Sequence, residues 1–141
     1  MRVLGLDPGQ KRIGVAISDP LGITAQGLEV ISFATPEEAL DRIEEICHSY
    51  NVEKIVVGNP LKMSGARGSA SEQAELFAGA LRGKLGLPVE MIDERLTSGS
   101  AEKTLIAGGV RRKKRKAVKD KMAAALILEQ YLGRSERNKK E

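Results

Sequence analysis

The chain opens with MRVLGLDPGQKRIGVAIS, two strand-like runs set around a single carboxylate. Val3, Leu4 and Leu6 lead into Asp7, and Ile13, Val15 and Ile17 lead away from it with clean alternation. The Asp-Pro-Gly between them has the turn chemistry of a hairpin, so the chain is expected to begin as an antiparallel pair. Lys11 and Arg12 sit on the far side of that turn. A carboxylate at the end of a buried strand is costly unless something compensates it. A divalent metal or a phosphate-binding turn would do so, and a solvated turn aspartate is the plainer alternative.

The rest of the chain reads as strands and helices in turn. Strands are expected at 2–7, 12–18, 27–33, 54–58 and 88–93, and helices at 36–50, 69–85, 98–107 and 117–132. Thr35 is the expected N-cap of the first helix, with Pro36 at its first position and Glu38 three residues on. Its apolar stripe is Ala39, Leu40, Ile43, Ile46, Cys47 and Tyr50, and that of the second helix is Ala74, Phe77, Ala78, Leu81 and Leu85. Three strands with short connections, then strands alternating with helices, indicate a mixed α/β sheet. Residues 59–68, NPLKMSGARG, read as a loop in which Ser64, Gly65 and Gly68 would permit closure on a substrate or simply line the surface. One domain is expected over 1–133, followed by a polar tail over 134–141 that frays.

Composition removes several kinds of chemistry. The single cysteine, Cys47, allows no internal disulfide, and its place on a helical stripe marks it as a small core residue. His48 is the only histidine, which sets aside His-rich zinc sites and Ser-His-Asp triads. Aromatic residues make up 3% of the chain, too few for base-stacking platforms. No window approaches the ~20 apolar residues of a membrane span, and no signal peptide opens the sequence, so a cytoplasmic protein is expected.

Charge is concentrated rather than spread. Residues 111–121, RRKKRKAVKDK, hold eight basic residues and one acid, a net of +7 within a chain whose total is +4. A basic strip on an otherwise acidic body is the footprint of a polyanion partner. Two further acids fall where a site could gather them. The last strand ends in Asp93-Glu94-Arg95, and ligands of α/β sheets bind beyond the carboxyl ends of strands. Asp120 shares a helical face with Ala123, Ala124 and Ile127, although an N-cap or a partner for Lys116 or Lys119 is the plainer explanation from these residues alone. Separated carboxylates, no usable histidine and a basic strip together suit hard divalent cations and phosphodiester chemistry, in which two ions about 3.5–4 Å apart activate water and stabilise the leaving oxygen.

The strings GLDPGQKRIGVAISD (5–19), IVVGNPLKMSG (55–65), DERLTS (93–98) and DKMAAALILEQYL (120–132) resemble the YqgF/RuvX family in order and at compatible spacing. The resemblance covers nearly the whole chain. It implies an α/β, RNase H-like fold: a five-stranded mixed sheet, strands one to three antiparallel and four and five parallel to strand one, flanked by helices. It further implies that Asp7, Glu94 and Asp120 form a catalytic acidic triad holding Mg²⁺ or Mn²⁺, two ions being expected. Adjacent strand residues face opposite ways, so Glu94 is expected to face the site and Asp93 to brace the strand end or a helix terminus. Two departures stand out: Gly-Asn-Pro at 58–60 where Gly-Leu-Pro is frequent, and Ser98 where Thr is common.

Beside these acids, Lys11, Arg12 and Arg95 would hold phosphates or pair with the carboxylates. Arg111, Arg112, Lys113, Lys114, Arg115 and Lys116 would track a nucleic-acid backbone without reading its sequence. The resemblance implies a nuclease in 5′-end processing of pre-16S ribosomal RNA, with the small-subunit precursor as a further partner. A Holliday junction resolvase acting on branched DNA is the alternative, and a non-catalytic RNA-binding assembly factor is another. An actin-like phosphate-binding turn also fits Asp-x-Gly, but such proteins pair two domains and this chain has one. Monomer and homodimer both remain open, as does RNA against DNA.

Overall fold

In the computed structural model, which describes residues 1–9, 11–59, 68–93 and 121–133, the opening hairpin is present. Strands β1 (Val3–Pro8) and β2 (Arg12–Ser18) pair antiparallel, with Leu4 opposite Ile17 and Asp7 opposite Gly14. The turn closes through the Gly9 N–H, which donates to the Arg12 carbonyl at 2.9 Å. A Cβ at Gly9 would stand 2.7 Å from that same oxygen, so a side chain there would force the turn open.

Beyond the hairpin follow β3 (Ala25–Ser32), α1 (Pro36–Tyr50), β4 (Lys54–Asn59), α2 (Ser69–Leu85) and β5 (Val89–Asp93). A third helix, α3, runs over 121–133. The strands form one sheet in the order β3-β2-β1-β4-β5. β2 and β3 pair antiparallel, β4 lies parallel to β1, and β5 lies parallel to β4. This is the expected five-stranded mixed sheet. Parallel neighbours need crossovers, and α1 and α2 supply them. The third strand begins two residues earlier than its sequence pattern predicts. Its ladder with β2 carries a register shift at Val15/Ala16, an irregularity that alternation of residue types does not announce. The helix expected at 98–107 and residues 117–120 of the last expected helix lie outside the described residues.

Helix α1 starts where its capping residues require. The Thr35 hydroxyl accepts from the Glu38 N–H at 3.4 Å, and the Glu38 carboxylate reaches back to the Ala34 N–H at 3.0 Å. It ends at Asn51 in the left-handed region, whose N–H bonds the Cys47 carbonyl. Ala39, Ile43, Ile46 and Cys47 are buried as the stripe predicts. Tyr50 departs from it: the residue is exposed, with the Arg2 guanidinium 5.6 Å from its ring centroid. In the last turn of the helix its ring covers a cation instead of filling the core.

The two faces of the sheet are packed differently. Leu4, Leu6, Val15, Ile17, Ile55 and Val57 meet α1 and α2 in one core. Val3, Ala16, Val56 and Ile92 meet Ala124, Ile127, Leu128, Tyr131 and Leu132 of α3 in the other. Each fully buried Leu or Ile of these clusters contributes about 1.5–3 kcal/mol relative to exposure. Among the described residues no helix is long and apolar enough to cross a membrane.

Candidate functional site

Since β1, β4 and β5 are parallel, their carboxyl ends share one edge of the sheet. Asp7 lies at the end of β1, Asn59 at the end of β4 and Asp93 at the end of β5. This is the edge at which parallel α/β sheets present ligand sites. The last register pair between β1 and β4 is Leu6 with Val57, so Asp7 and Pro8 extend beyond that ladder. Proline cannot donate to a rung, and at Pro8 no β4 partner requires it to.

Side-chain alternation fixes the face on which each group stands. Leu4 and Leu6 belong to the α1/α2 core, Val3 belongs to the α3 core, and Gly5 lies directly beneath α3. Asp7 is therefore on the α3 side, one same-face position beyond Gly5, and it is half-buried. On β5, Met91 packs with the α1/α2 core and Ile92 with the α3 core, which puts Asp93 on the α1/α2 side. Asp93 stands opposite Asn59 in register.

Helix α3 sits close to the strands that carry Asp7. Gly5, Ala16 and Gly27 are register neighbours across β1, β2 and β3, a row almost without side chains. A Cβ at Gly5 would stand 2.9 Å from the Leu128 Cβ and 3.1 Å from the Ala124 carbonyl oxygen, and one at Gly27 would stand 3.0 Å from the Lys121 Cβ. The helix thus crosses the sheet on that row, its first turn over β3. At its other end the Lys54 ammonium lies 4.5 Å from the Tyr131 ring centroid and 3.7 Å from the Glu90 carboxylate.

Lys11 and Arg12 are carried to the same edge by the β1–β2 turn, Lys11 exposed and Arg12 half-buried. The Lys11 carbonyl accepts from the Phe33 N–H at 3.2 Å, which ties the turn to the end of β3. Glu94, Arg95, Asp120 and the basic run Arg111, Arg112, Lys113, Lys114, Arg115 and Lys116 lie outside the described residues, as do Ser64 and Gly65. Gly68 is the N-cap of α2, with no side-chain cap. Among the described residues, no group of three or more His, Cys, Asp or Glu side chains gathers closely enough to hold a metal ion.

One pair at this edge was not visible in the sequence as a functional signal. The Ser71 hydroxyl in the first turn of α2, fully buried, donates to Asn59 Oδ1 at 2.6 Å. Asn59 stood out only as a departure from a frequent leucine, and nothing marked Ser71, because their contact depends on how α2 folds back against β4.

Relatives and solved structures match this architecture. The family described as "RuvX: Holliday junction resolvase" matches residues 1–134. A protein of Pelotomaculum thermopropionicum named "Putative pre-16S rRNA nuclease" is 52% identical over 142 residues, covering 100% of this chain and 92% of its own length. The protein of the same name from Listeria innocua is 50% identical over 134 residues, covering 94% and 97%. Among solved structures, RuvC of Thermus thermophilus in complex with a Holliday junction substrate superposes with a TM-score of 0.55 at 21% identity, covering 96% of each chain. Fowlpox virus resolvase with Holliday junction DNA gives 0.57 at 11% identity, covering 96% and 99%. At such identities the two structures attest the fold alone, a mixed α/β sheet of the RNase H-like kind. The relatives at half identity over nearly the full length, together with the family match from the first residue, show that the chain belongs to the RuvX family.

Proposed function

We propose that the protein is a metal-dependent nuclease hydrolysing phosphodiester bonds, acting in 5′-end processing of pre-16S ribosomal RNA in the cytoplasm. The observation that carries this reading is the position of Asp7: a half-buried carboxylate at the shared carboxyl edge of three parallel strands, on the face that packs against α3. The names of the relatives favour ribosomal RNA as the substrate.

Asp7, Glu94 and Asp120 would hold the Mg²⁺ or Mn²⁺ ions, carboxylate oxygen being the donor such hard cations prefer. Two features of the described residues support this set. Glu94 follows Asp93 directly in the sequence, and continued strand alternation beyond Ile92 would bring it to the face that Asp7 occupies. Asp120 directly precedes α3 in the sequence, four residues before Ala124, whose carbonyl oxygen faces Gly5, and eight before Leu128, whose side chain covers it. Bound there, divalent cations supply activation of the attacking water and stabilisation of the leaving oxygen. The chain's own cations, Lys11, Arg12 and Arg95, would hold the phosphates on either side of the cut. Residues Arg111 to Lys116 would carry the sequence-independent part of the affinity, with its steep salt dependence.

A second reading, resolution of four-way DNA junctions, is favoured by the family description and by the fold shared with two junction-bound resolvases. Incubating the protein with a labelled pre-16S 5′-leader RNA and a four-way DNA junction tests both. Cleavage of the RNA in Mg²⁺ or Mn²⁺, abolished by EDTA and by Asp7→Asn, is expected. Cleavage confined to the junction would exchange the two readings. Binding without cleavage, unaffected by Asp7→Asn, would leave a non-catalytic assembly factor.

A further inference from the structure

Asn59 occupies a singular place at the carboxyl edge. Its strand, β4, lies between β1 and β5, so the residue stands between the ends that carry Asp7 and Asp93. Since Leu6 is level with Val57, Asn59 projects one residue further toward the edge than Asp7 does. It stands on the α1/α2 side of the sheet, its carboxamide bonded to α2.

A carboxamide has one acceptor end and one donor end. The acceptor end of Asn59 is committed to the Ser71 hydroxyl at 2.6 Å, a group with no solvent exposure. That bond holds the carboxamide by its oxygen and leaves its two N–H donors for another partner. Among the described residues those donors meet no acceptor. A half-buried –NH₂ held rigidly at a site edge is an oriented neutral donor, and its natural acceptor on a nucleic acid is a non-bridging phosphate oxygen.

We infer that Asn59, oriented by Ser71, donates a hydrogen bond to a backbone phosphate next to the scissile one. Asp7 and Asn59 stand on adjacent strands but on opposite faces, which suits two different phosphates rather than one. Asn59 is thus a substrate-contacting residue and Ser71 a positioning residue acting through it. This rests on the nuclease reading above and adds a contact on the substrate backbone to it.

The test separates a donor from a mere tie between β4 and α2. Asn59→Asp keeps an acceptor for the Ser71 hydroxyl but replaces the donors with a second oxygen. Binding of a labelled pre-16S 5′-leader RNA, and of single-stranded DNA of the same sequence, is measured in EDTA for the full chain, Asn59→Asp and Ser71→Ala, alongside their melting temperatures. Asn59→Asp, which removes the donors and sets a negative charge toward the phosphates, is expected to weaken both ligands by about tenfold or more with its melting temperature kept, and the charge-neutral Ser71→Ala isolates the hydrogen bond. Ser71→Ala, which frees the amide to rotate, is expected to weaken both by about threefold. Affinity unchanged in Asn59→Asp overturns the inference and leaves the pair a structural tie. A loss confined to RNA overturns the phosphate assignment in favour of a ribose contact. Should Asn59→Asp fail to fold, unchanged affinity in Ser71→Ala overturns the inference. A wild-type chain that binds neither ligand overturns the nuclease reading with it, an outcome distinct from the others.

Discussion

The hairpins at the two ends of β2 each carry an Asp-Pro pair, and the structure uses them in opposite ways. At one end, Asp7-Pro8-Gly9 leaves β1, and the turn is closed by the backbone bond from Gly9 to Arg12. At the other end, Asp19-Pro20 leaves β2, and the aspartate itself builds the loop. One Asp19 oxygen accepts from the N–H groups of Ile23 and Thr24, each at 2.7 Å, and the other accepts from Leu21 at 3.3 Å. Gly22 in that loop takes the left-handed conformation, and a Cβ there would stand 2.8 Å from the Met1 carbonyl oxygen. The Thr24 N–H above all, with Ile23 and Leu21, holds the Asp19 carboxyl below its usual value of 3.8. An aspartate that organises its own turn is a structural acid. Asp7, two residues earlier relative to the end of its strand, is still on the strand and on the face that a close-packed helix covers.

Matched substitutions break this comparison most directly. Asp7→Asn is expected to reduce nuclease turnover by about 10²–10⁴-fold, the scale of losing a group that prepares the attacking water, while thermal melting stays near the wild-type value. Activity retained in Asp7→Asn would remove the catalytic half of the contrast. Gly9→Ala probes the backbone-closed turn itself. Forcing a Cβ against the Arg12 carbonyl is expected to cost about 1–3 kcal/mol in chemical denaturation and to weaken substrate binding through the displaced Lys11 and Arg12. A Gly9→Ala protein as stable as the parent would show that the turn has room the geometry denies.

Asp19→Asn is the mirror experiment: turnover unchanged, stability lowered at neutral pH. The sign follows from linkage. A carboxyl whose folded value is depressed contributes stability above its unfolded value of 3.8, and that contribution is lost as pH falls through the folded value. The gap in melting temperature between wild type and Asp19→Asn is therefore expected to be full near pH 7 and to close below pH 3.8. A gap independent of pH would mean that the charge of Asp19 adds nothing to its hydrogen bonds. The smallest effect is expected at Cys47, whose thiol is pushed up to about 11, first by burial and then by Glu44. Alkylation at pH 8 should be slow in the native protein and rapid only after unfolding.

What the sequence determined by itself was short in range. The first hairpin, the Thr35–Pro36–Glu38 start of α1, and the buried stripes of α1 and α2 depend on neighbours within a turn or two, and residue type is enough to specify them. Alternation on β1 likewise separated Asp7 from Leu4 and Leu6, and on β5 it separated neighbouring residues between the two faces. The acid positions were legible individually, but the case for grouping them came from resemblance to a family and not from spacing.

Tertiary structure decided the rest. Gly5, Ala16 and Gly27 look like weak points in three separate strands, since glycine lowers strand propensity. Only the register makes them one row, and only then does the row explain why α3 can lie close to β1. Asn59 and Ser71 are twelve residues apart, on a strand and a helix whose contact follows from a parallel crossover that no local pattern encodes. Asp7 and Asp19 make the point most simply. The Asp-Pro pair is the same in both, and only the fold leaves one acid on a strand at the carboxyl edge of the sheet and ties the other into its own loop.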